Sequence, residues 1–318
     1  MLGRLVFIAL AMVCSAATLA AQFPDKIVRL VVPFAPGGNT DHLTRIFAEG
    51  LSAKWKQTVI VENKPGGGAT IGAARVANSQ PDGYTLLLGS VGMATNQFLF
   101  KKMPYPAESL VPLALVAQGP NVLFVNPSLP VSNVADLIRY AKERPGKLTF
   151  ASSGIGTSPH LAAELFAARA GIDIVHVPYK GANPAANDLI GGQVDAFFSV
   201  LNLMPYVAAG KIRALAVSTE QRIPEVPTLP TVDESGMTKG VVSGTWFGFF
   251  APADVPADVK QTIVQGLTEV AQDKKTQEKI AGLSLSPAFL GTDEFTSFIK
   301  AEEDRWGEVI RKQNITLN

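Results

Sequence analysis

The chain has 318 residues, with 28 Lys and Arg against 27 Asp and Glu, three His and one Cys. Near-neutral charge without a basic run argues against a nucleic-acid surface, and a lone cysteine argues against a disulfide framework. With 47% hydrophobic residues, the chain has enough apolar material for an ordinary large core, and its length suggests two lobes.

The N-terminus reads as a targeting signal. Arg4 carries a positive charge, residues 5–13 are apolar, and small residues follow through Ala21. This is the pattern of a secretory signal peptide over residues 1–21, too short to span a bilayer. Met12 and Val13 are poor residues ahead of a lipidated cysteine, so Cys14 does not mark a lipoprotein. Cleavage removes both Arg4 and Cys14, leaving balanced charge and no thiol. A periplasmic location is expected, and no later apolar stretch is long enough to cross a membrane.

Residues 27–32 are short, β-branched and almost continuously apolar, as in a strand buried on both faces. Pro36, Gly37 and Gly38 end the strand in a tight turn. Thr40 then caps a helix whose apolar positions Leu43, Ile46, Phe47 and Leu51 recur at helical spacing. Such a turn leaves backbone N–H groups at the positive end of a helix dipole, an anion seat that needs no charged side chain. Strands follow over 58–62 and 84–88, separated by a helix ending near Asn78, and the third strand ends at Gly89-Ser90. Strands over 113–117 and 122–125 flank Gly119-Pro120, and a helix capped by Ser132 runs to about Glu143.

The pattern then restarts. A strand over 147–152 meets Ser153-Gly-Ile-Gly-Thr-Ser-Pro159 and a helix over 160–170. Further strands over 174–179, 194–200 and 212–217 alternate with helices over 184–190 and 203–209. This βαβα rhythm predicts an open, largely parallel sheet in each of two α/β units. A late strand over 245–251 and amphipathic helices over 257–273 and 293–312 close the chain. They are expected to return to the first unit. Lobe 1 then comprises 22–122 and 243–318, and lobe 2 comprises 123–242. Ligands on open α/β sheets lie beyond the carboxyl ends of the strands. The two glycine turns, one per lobe, would therefore grip a small anion between them.

Several segments in order carry a resemblance. They are Val31-Val-Pro-Phe-Ala-Pro-Gly-Gly-Asn-Thr-Asp41, Val61-Glu-Asn-Lys-Pro-Gly-Gly-Gly68, Pro81-Asp-Gly-Tyr-Thr-Leu86, Ala151-Ser-Ser-Gly-Ile-Gly-Thr-Ser-Pro-His-Leu161, His176-Val-Pro-Tyr-Lys-Gly181, Gly192-Gln-Val-Asp195 and Lys211-Ile-Arg-Ala-Leu-Ala-Val217. Over the whole exported chain the sequence resembles the periplasmic solute receptors of tripartite tricarboxylate transporters, the Bug family. The resemblance implies a type II periplasmic-binding-protein fold, two α/β lobes with a ligand cleft between them. It implies a small mono-, di- or tricarboxylate ligand, an acidic amino acid or an aromatic acid, and delivery to membrane subunits of a transporter. It also implies no catalysis and no cofactor; a monomer is expected. Carried over, the ligand contacts fall on Phe34, Ala35, Gly37, Gly38, Asn39 and Thr40, and on Ser152, Ser153, Gly154, Gly156 and Thr157. Ser90, His160, Tyr179 and Asp195 join them as candidates. Ala35 and Asn39 stand where many members have other residues.

The remaining polar residues have ordinary readings beside functional ones. His42, His160 and His176 lie in separate elements without metal-ligand spacing; His160 either lines the pocket or holds its loop. Asp41 is best placed to stabilise a helix start. Asp195 either takes a ligand ammonium or pairs with Lys180 or a backbone turn. Gly66-Gly67-Gly68 lacks the ending of a phosphate loop, and Ser152 and Ser153 lack a Gly-x-Ser-x-Gly frame. Phe34, Tyr179, Phe198 and Trp246 are core residues by default. The alternative function, a secreted α/β hydrolase or lyase acting on a carboxylate, lacks a credible nucleophile–base pair.

Overall fold

The computed structural model describes residues 23–312 and Ile315; the expected leader lies outside these residues. β1 (Val28–Val32), α1 (Asn39–Trp55), β2 (Val59–Asn63), α2 (Thr70–Ala77), β3 (Thr85–Gly89) and α3 (Gly92–Leu99) alternate, and the long β4 (Leu110–Pro120) follows. Only Asn121 separates β4 from β5 (Val122–Val125), which lies in another sheet. There follow α4 (Val134–Glu143), β6 (Leu148–Ser152), α5 (Ser158–Ala170), β7 (Ile174–Pro178), α6 (Ala182–Ile190), β8 (Ala196–Ser199), α7 (Met204–Ala208) and β9 (Arg213–Val217). β10 (Gly244–Pro252) then rejoins the first sheet, and α8 (Ala257–Gln272), α9 (Lys274–Gly282), β11 (Ser286–Leu290) and α10 (Thr292–Lys312) complete the chain.

The first sheet has the order β11-β4-β10-β3-β1-β2 and the second β7-β6-β8-β5-β9. Helices cover both faces of each sheet, and the strands are written accordingly. Val28 and Leu30 enter one apolar cluster and Val31 the other; Leu86 and Leu88 likewise part from Leu87. In the second sheet Leu123 and Val125 face one cluster while Val122 and Phe124 face the other. The period-two alternation of side chains therefore requires apolar residues at nearly every strand position.

Both sheets are mixed, which corrects the expectation of a largely parallel arrangement. β10 runs antiparallel between β3 and β4, and β5 runs antiparallel between β8 and β9. The connection between sheets explains this. β4 ends where β5 begins, so β5 enters the second sheet from the side at which its neighbours end. β10 enters the first sheet in the same sense.

Three short elements escape the pattern analysis, α3, α9 and β11, whereas α7 falls within the helix expected over 203–209. α9 buries only Thr276 and Ile280, too little for a helical stripe. β11 contains Pro287, which reads against a strand but is tolerated on the sheet edge where β11 lies. Two expected caps also shift by one or two residues. Asn133, not Ser132, caps α4 by accepting from Asp136 N at 2.8 Å. Gly38 occupies the cap position of α1, and Thr40 lies inside the helix.

The closing helix is tied to the returning strand by one carboxylate. Glu302 of α10, 8% exposed, accepts from the indole N–H groups of Trp246 at 3.0 Å and Trp306 at 3.1 Å. Glu302→Ala strands two buried donors at about 1–3 kcal/mol each. The variant is expected to lose about 2–6 kcal/mol in urea unfolding, and Glu302→Gln, which keeps an acceptor, less than half of that.

Candidate functional site

A cleft between the two sheets lies where strands end and helices begin. Its lining includes Gly38 and Asn39 at the start of α1, Ala69 before α2, Gly92 at the start of α3, Thr157 and Ser158 at the start of α5, and Gly181 and Ala182 at the start of α6. Five helix N-termini thus converge, and no side-chain oxygen caps any of them. By contrast α4 and α9 are capped by Asn133 and Asp273. No lining residue is Asp, Glu, Lys, Arg or His. The polar character of the cleft therefore comes from hydroxyls, amides and main-chain N–H groups, with five positive dipole ends behind them.

The first turn is held from behind. Asp41 accepts from Gly37 N at 3.0 Å, from Asn63 Nδ2 at 2.9 Å and from the Arg45 guanidinium at 3.0 and 3.1 Å. Burial acts to raise the Asp41 pKa, but the hydrogen bonds from Arg45, Gly37 and Asn63 outweigh it and hold the carboxyl below its ordinary value. Its charge is spent on the turn. Gly37 takes φ +83°, in the left-handed region that favours glycine, whereas Gly38 does not.

The second turn rests on two stacked histidines. His160 Nδ1 accepts from Gly156 N at 3.1 Å, which places the ring proton on Nε2, facing Glu164 at 3.6 Å. The His160 and His176 rings lie 3.9 Å apart, and His176 Nε2 meets Ser152 Oγ at 2.6 Å. Ser152 also contacts the Gly154 carbonyl and amide, and Thr157 Oγ1 donates to Gly154 O at 2.6 Å. The Ser152–His176 contact has the composition of a nucleophile–base pair, but Ser152 is fully buried beneath the turn and neither residue lines the cleft. It shapes the loop.

Of the expected ligand residues, Phe34, Ala35, Gly38, Asn39, Thr40, Ser90, Ser153 and Thr157 line the cleft. Gly37, Ser152, Gly154, Gly156 and His160 stand behind them and shape the turns. Tyr179 and Asp195 are placed elsewhere. The Tyr179 hydroxyl donates to Asp188 at 2.6 Å, and burial, with that carboxylate, pushes its pKa up to about 12. Asp195 accepts from Thr149 N and Oγ1, both at 2.8 Å, and pairs with neither a ligand position nor Lys180.

The sequence reading missed the starts of α3 and α6, although Ser90-Val-Gly92 and Lys180-Gly181-Ala182 repeat the same strand-then-glycine signal. Asn121, Ser199, Asn202, Thr245 and Phe247 also line the cleft. Asn121, Thr245 and Phe247 reach it through the crossing segments, Ser199 and Asn202 through the end of β8 and the turn after it. At the crossing, Asn121 Nδ2 donates to Ser158 Oγ at 2.6 Å, and Ser218 N donates to Asn121 O at 2.8 Å. The lobes also meet in front: Ala35 N donates to Lys180 O at 3.0 Å, Asn183 Nδ2 to Gly37 O at 2.7 Å and Thr95 Oγ1 to Gly156 O at 3.1 Å.

Burial, with some repulsion from His160, lowers the His176 pKa to about 3 from an ordinary 6.5. The folded protein thus holds this ring neutral, and its contribution is complete above pH 6.5 and lost as pH falls towards 3. Native protein should lose melting temperature on acidification through this window more steeply than His176→Asn; equal slopes would remove the histidine stack as the cause.

Residues 43–315 match the family model described as the tripartite tricarboxylate transporter family receptor. The chain is 35% identical over 316 residues to protein BugT of Bordetella pertussis, covering 98% of this chain and 96% of that one. Among solved structures it is similar to the periplasmic binding protein BugD, at 35% identity and a TM-score of 0.87, over 93% of this chain and all of that one. A protein of R. palustris with adipate, Rpa4515, gives the same identity, coverage and TM-score. The architecture of two α/β lobes about a cleft is that of the type II periplasmic binding proteins. The chain belongs to the receptor family of the tripartite tricarboxylate transporters, as a solute-binding protein of the Bug type.

Proposed function

We propose that this protein is exported to the periplasm, binds a small carboxylate between its lobes as a monomer and delivers it to the membrane subunits of a tripartite transporter. One observation carries the reading: five uncapped helix N-termini converge on a cleft whose lining has no formal charge. Such a site offers main-chain N–H donors to an anion and no carboxylate to pair with a basic solute. Rpa4515, a similar structure, carries adipate. In this reading the anion is held by the turn at Phe34, Ala35, Gly38, Asn39 and Thr40, and across the cleft by Ser153 and Thr157, with Ser90 alongside.

The mechanism is differential stabilisation. An acid that meets both turns at once binds the closed form better than the open one, and only that difference drives closure. Each charge-assisted hydrogen bond contributes roughly 1.5–3 kcal/mol, so a few across the cleft reach micromolar affinity, about −8 kcal/mol. No reaction is required. The Ser152–His176 contact lies outside the cleft lining, which supports a binding rather than a hydrolytic reading.

A thermal-shift screen of the exported form over organic acids tests the reading. A true ligand at one hundred times its dissociation constant should add about 2.7 kcal/mol of stability, without turnover of the acid; no stabilisation by any acid, or consumption of one, would refute it. Gly38 offers a sharper test, since a Cβ there meets nothing within 4 Å and its φ of −82° suits any residue. Gly38→Ala should fold and retain binding. Gly38→Glu places a like charge beside the bound acid, worth about 4 kcal/mol at ~4 Å and an effective dielectric of ~20, and titration should show about a thousandfold weaker affinity.

A further inference from the structure

We infer that Asn39 and Asn202 form a specificity device selecting an acid that carries a hydroxyl on its carbon chain; this rests on the carboxylate-receptor reading. Both residues line the cleft, Asn39 at the first position of α1 and Asn202 in the single 3-10 turn Leu201–Leu203 after β8. They come from opposite sheets and meet across it.

The orientation of both amides follows from one carbonyl outside the cleft. Asn39 Nδ2 donates to Leu283 O at 2.9 Å. A carbonyl only accepts, so the Asn39 amide must turn its nitrogen that way and its oxygen towards Asn202. Asn39 Oδ1 in turn only accepts, and it receives Asn202 Nδ2 at 3.4 Å. The remaining amide atom of Asn202 is therefore its oxygen. That oxygen is buried and has no hydrogen-bond partner among the described residues. Flipping Asn202 would set two oxygens against each other, so the pair holds a carbonyl acceptor in place.

This acceptor is out of character with a site otherwise rich in N–H donors, and a buried acceptor without a donor is costly. A ligand donor would satisfy it. An ammonium fits poorly, because no lining residue carries a carboxylate and five positive helix ends surround the cleft. A hydroxyl brings a donor without the charge, so it matches this acceptor. An acid with plain methylene at that point leaves the carbonyl unpaired, and an amino acid adds an uncompensated cation. Because the two asparagines lie on opposite lobes, the selection operates on closure.

The test is calorimetric titration of the exported protein with pairs of acids that differ by one hydroxyl: malate with succinate, lactate with propionate, citrate with tricarballylate and mandelate with phenylacetate. Aspartate serves as the amino counterpart of malate. In the pair containing the tightest binder, the hydroxy acid should bind at least about tenfold more tightly, equal to 1.4 kcal/mol. Asn202→Leu should reduce that ratio to about twofold or less, and Asn39→Ala, which frees Asn202 to turn, should reduce it as well. If Asn202→Leu does not fold, Asn39→Ala and the comparison in native protein decide the matter. Equal or tighter binding of the deoxy acid, or an unchanged ratio in the folded variants, would overturn this inference while leaving the carboxylate reading intact. Failure of every acid to bind would overturn both.

Discussion

The structure depends on a property of every peptide helix: the first turn has N–H groups with no partner inside the helix. Away from the cleft, Asn133 and Asp273 cap such groups in α4 and α9. Around the cleft they are left uncapped, at five helices drawn from two sheets. The strands that carry these helix starts are anchored in apolar clusters on both faces of each sheet. In the proposed reading, an acid supplies acceptors to these helix starts.

Charged groups near the site serve this arrangement from behind. Asp41 is spent on Gly37, Asn63 and Arg45, which fixes the first turn without presenting a negative charge to a ligand. His160 performs the matching task for Gly156 by accepting its N–H at Nδ1, and His176 stacks against it. Side chains that looked like ligand contacts are thus often supports. Their removal would move the amides and leave no hole in the cleft wall.

The crossing segments explain how two lobes share one site. β4 and β5 are separated by one residue, and β10 returns beside them, so Asn121, Ser218 and Ser243 meet in a buried polar cluster. The antiparallel insertion of β5 and β10 is the geometric result of strands entering each sheet from the cleft side. Ser158 ties the start of α5 to this cluster through Asn121 and Gly244 O. Motion at the crossing therefore carries the second turn with it.

The order of strands and helices, the two apolar cores and both glycine turns were legible in the amino-acid sequence, because burial period and turn chemistry are local properties. The position of both turns was legible there, while the contacts at Phe34 to Thr40 and Ser152 to Thr157 came from the family resemblance. Tyr179 and Asp195 could not be placed, since each satisfies its polar atoms with a partner, Asp188 or Thr149, that local sequence does not specify. The short elements α3 and β11 were illegible for a related reason: one is too brief to show a period, and the other holds a proline that only an edge strand tolerates. The strand order, the antiparallel entry of β5 and β10 and the meeting of Asn39 with Asn202 were decided by tertiary structure alone. They depend on contacts between residues far apart in the chain, such as Val122 with Ser199 or Asn39 with Asn202, where the chain's own periodicity carries no information.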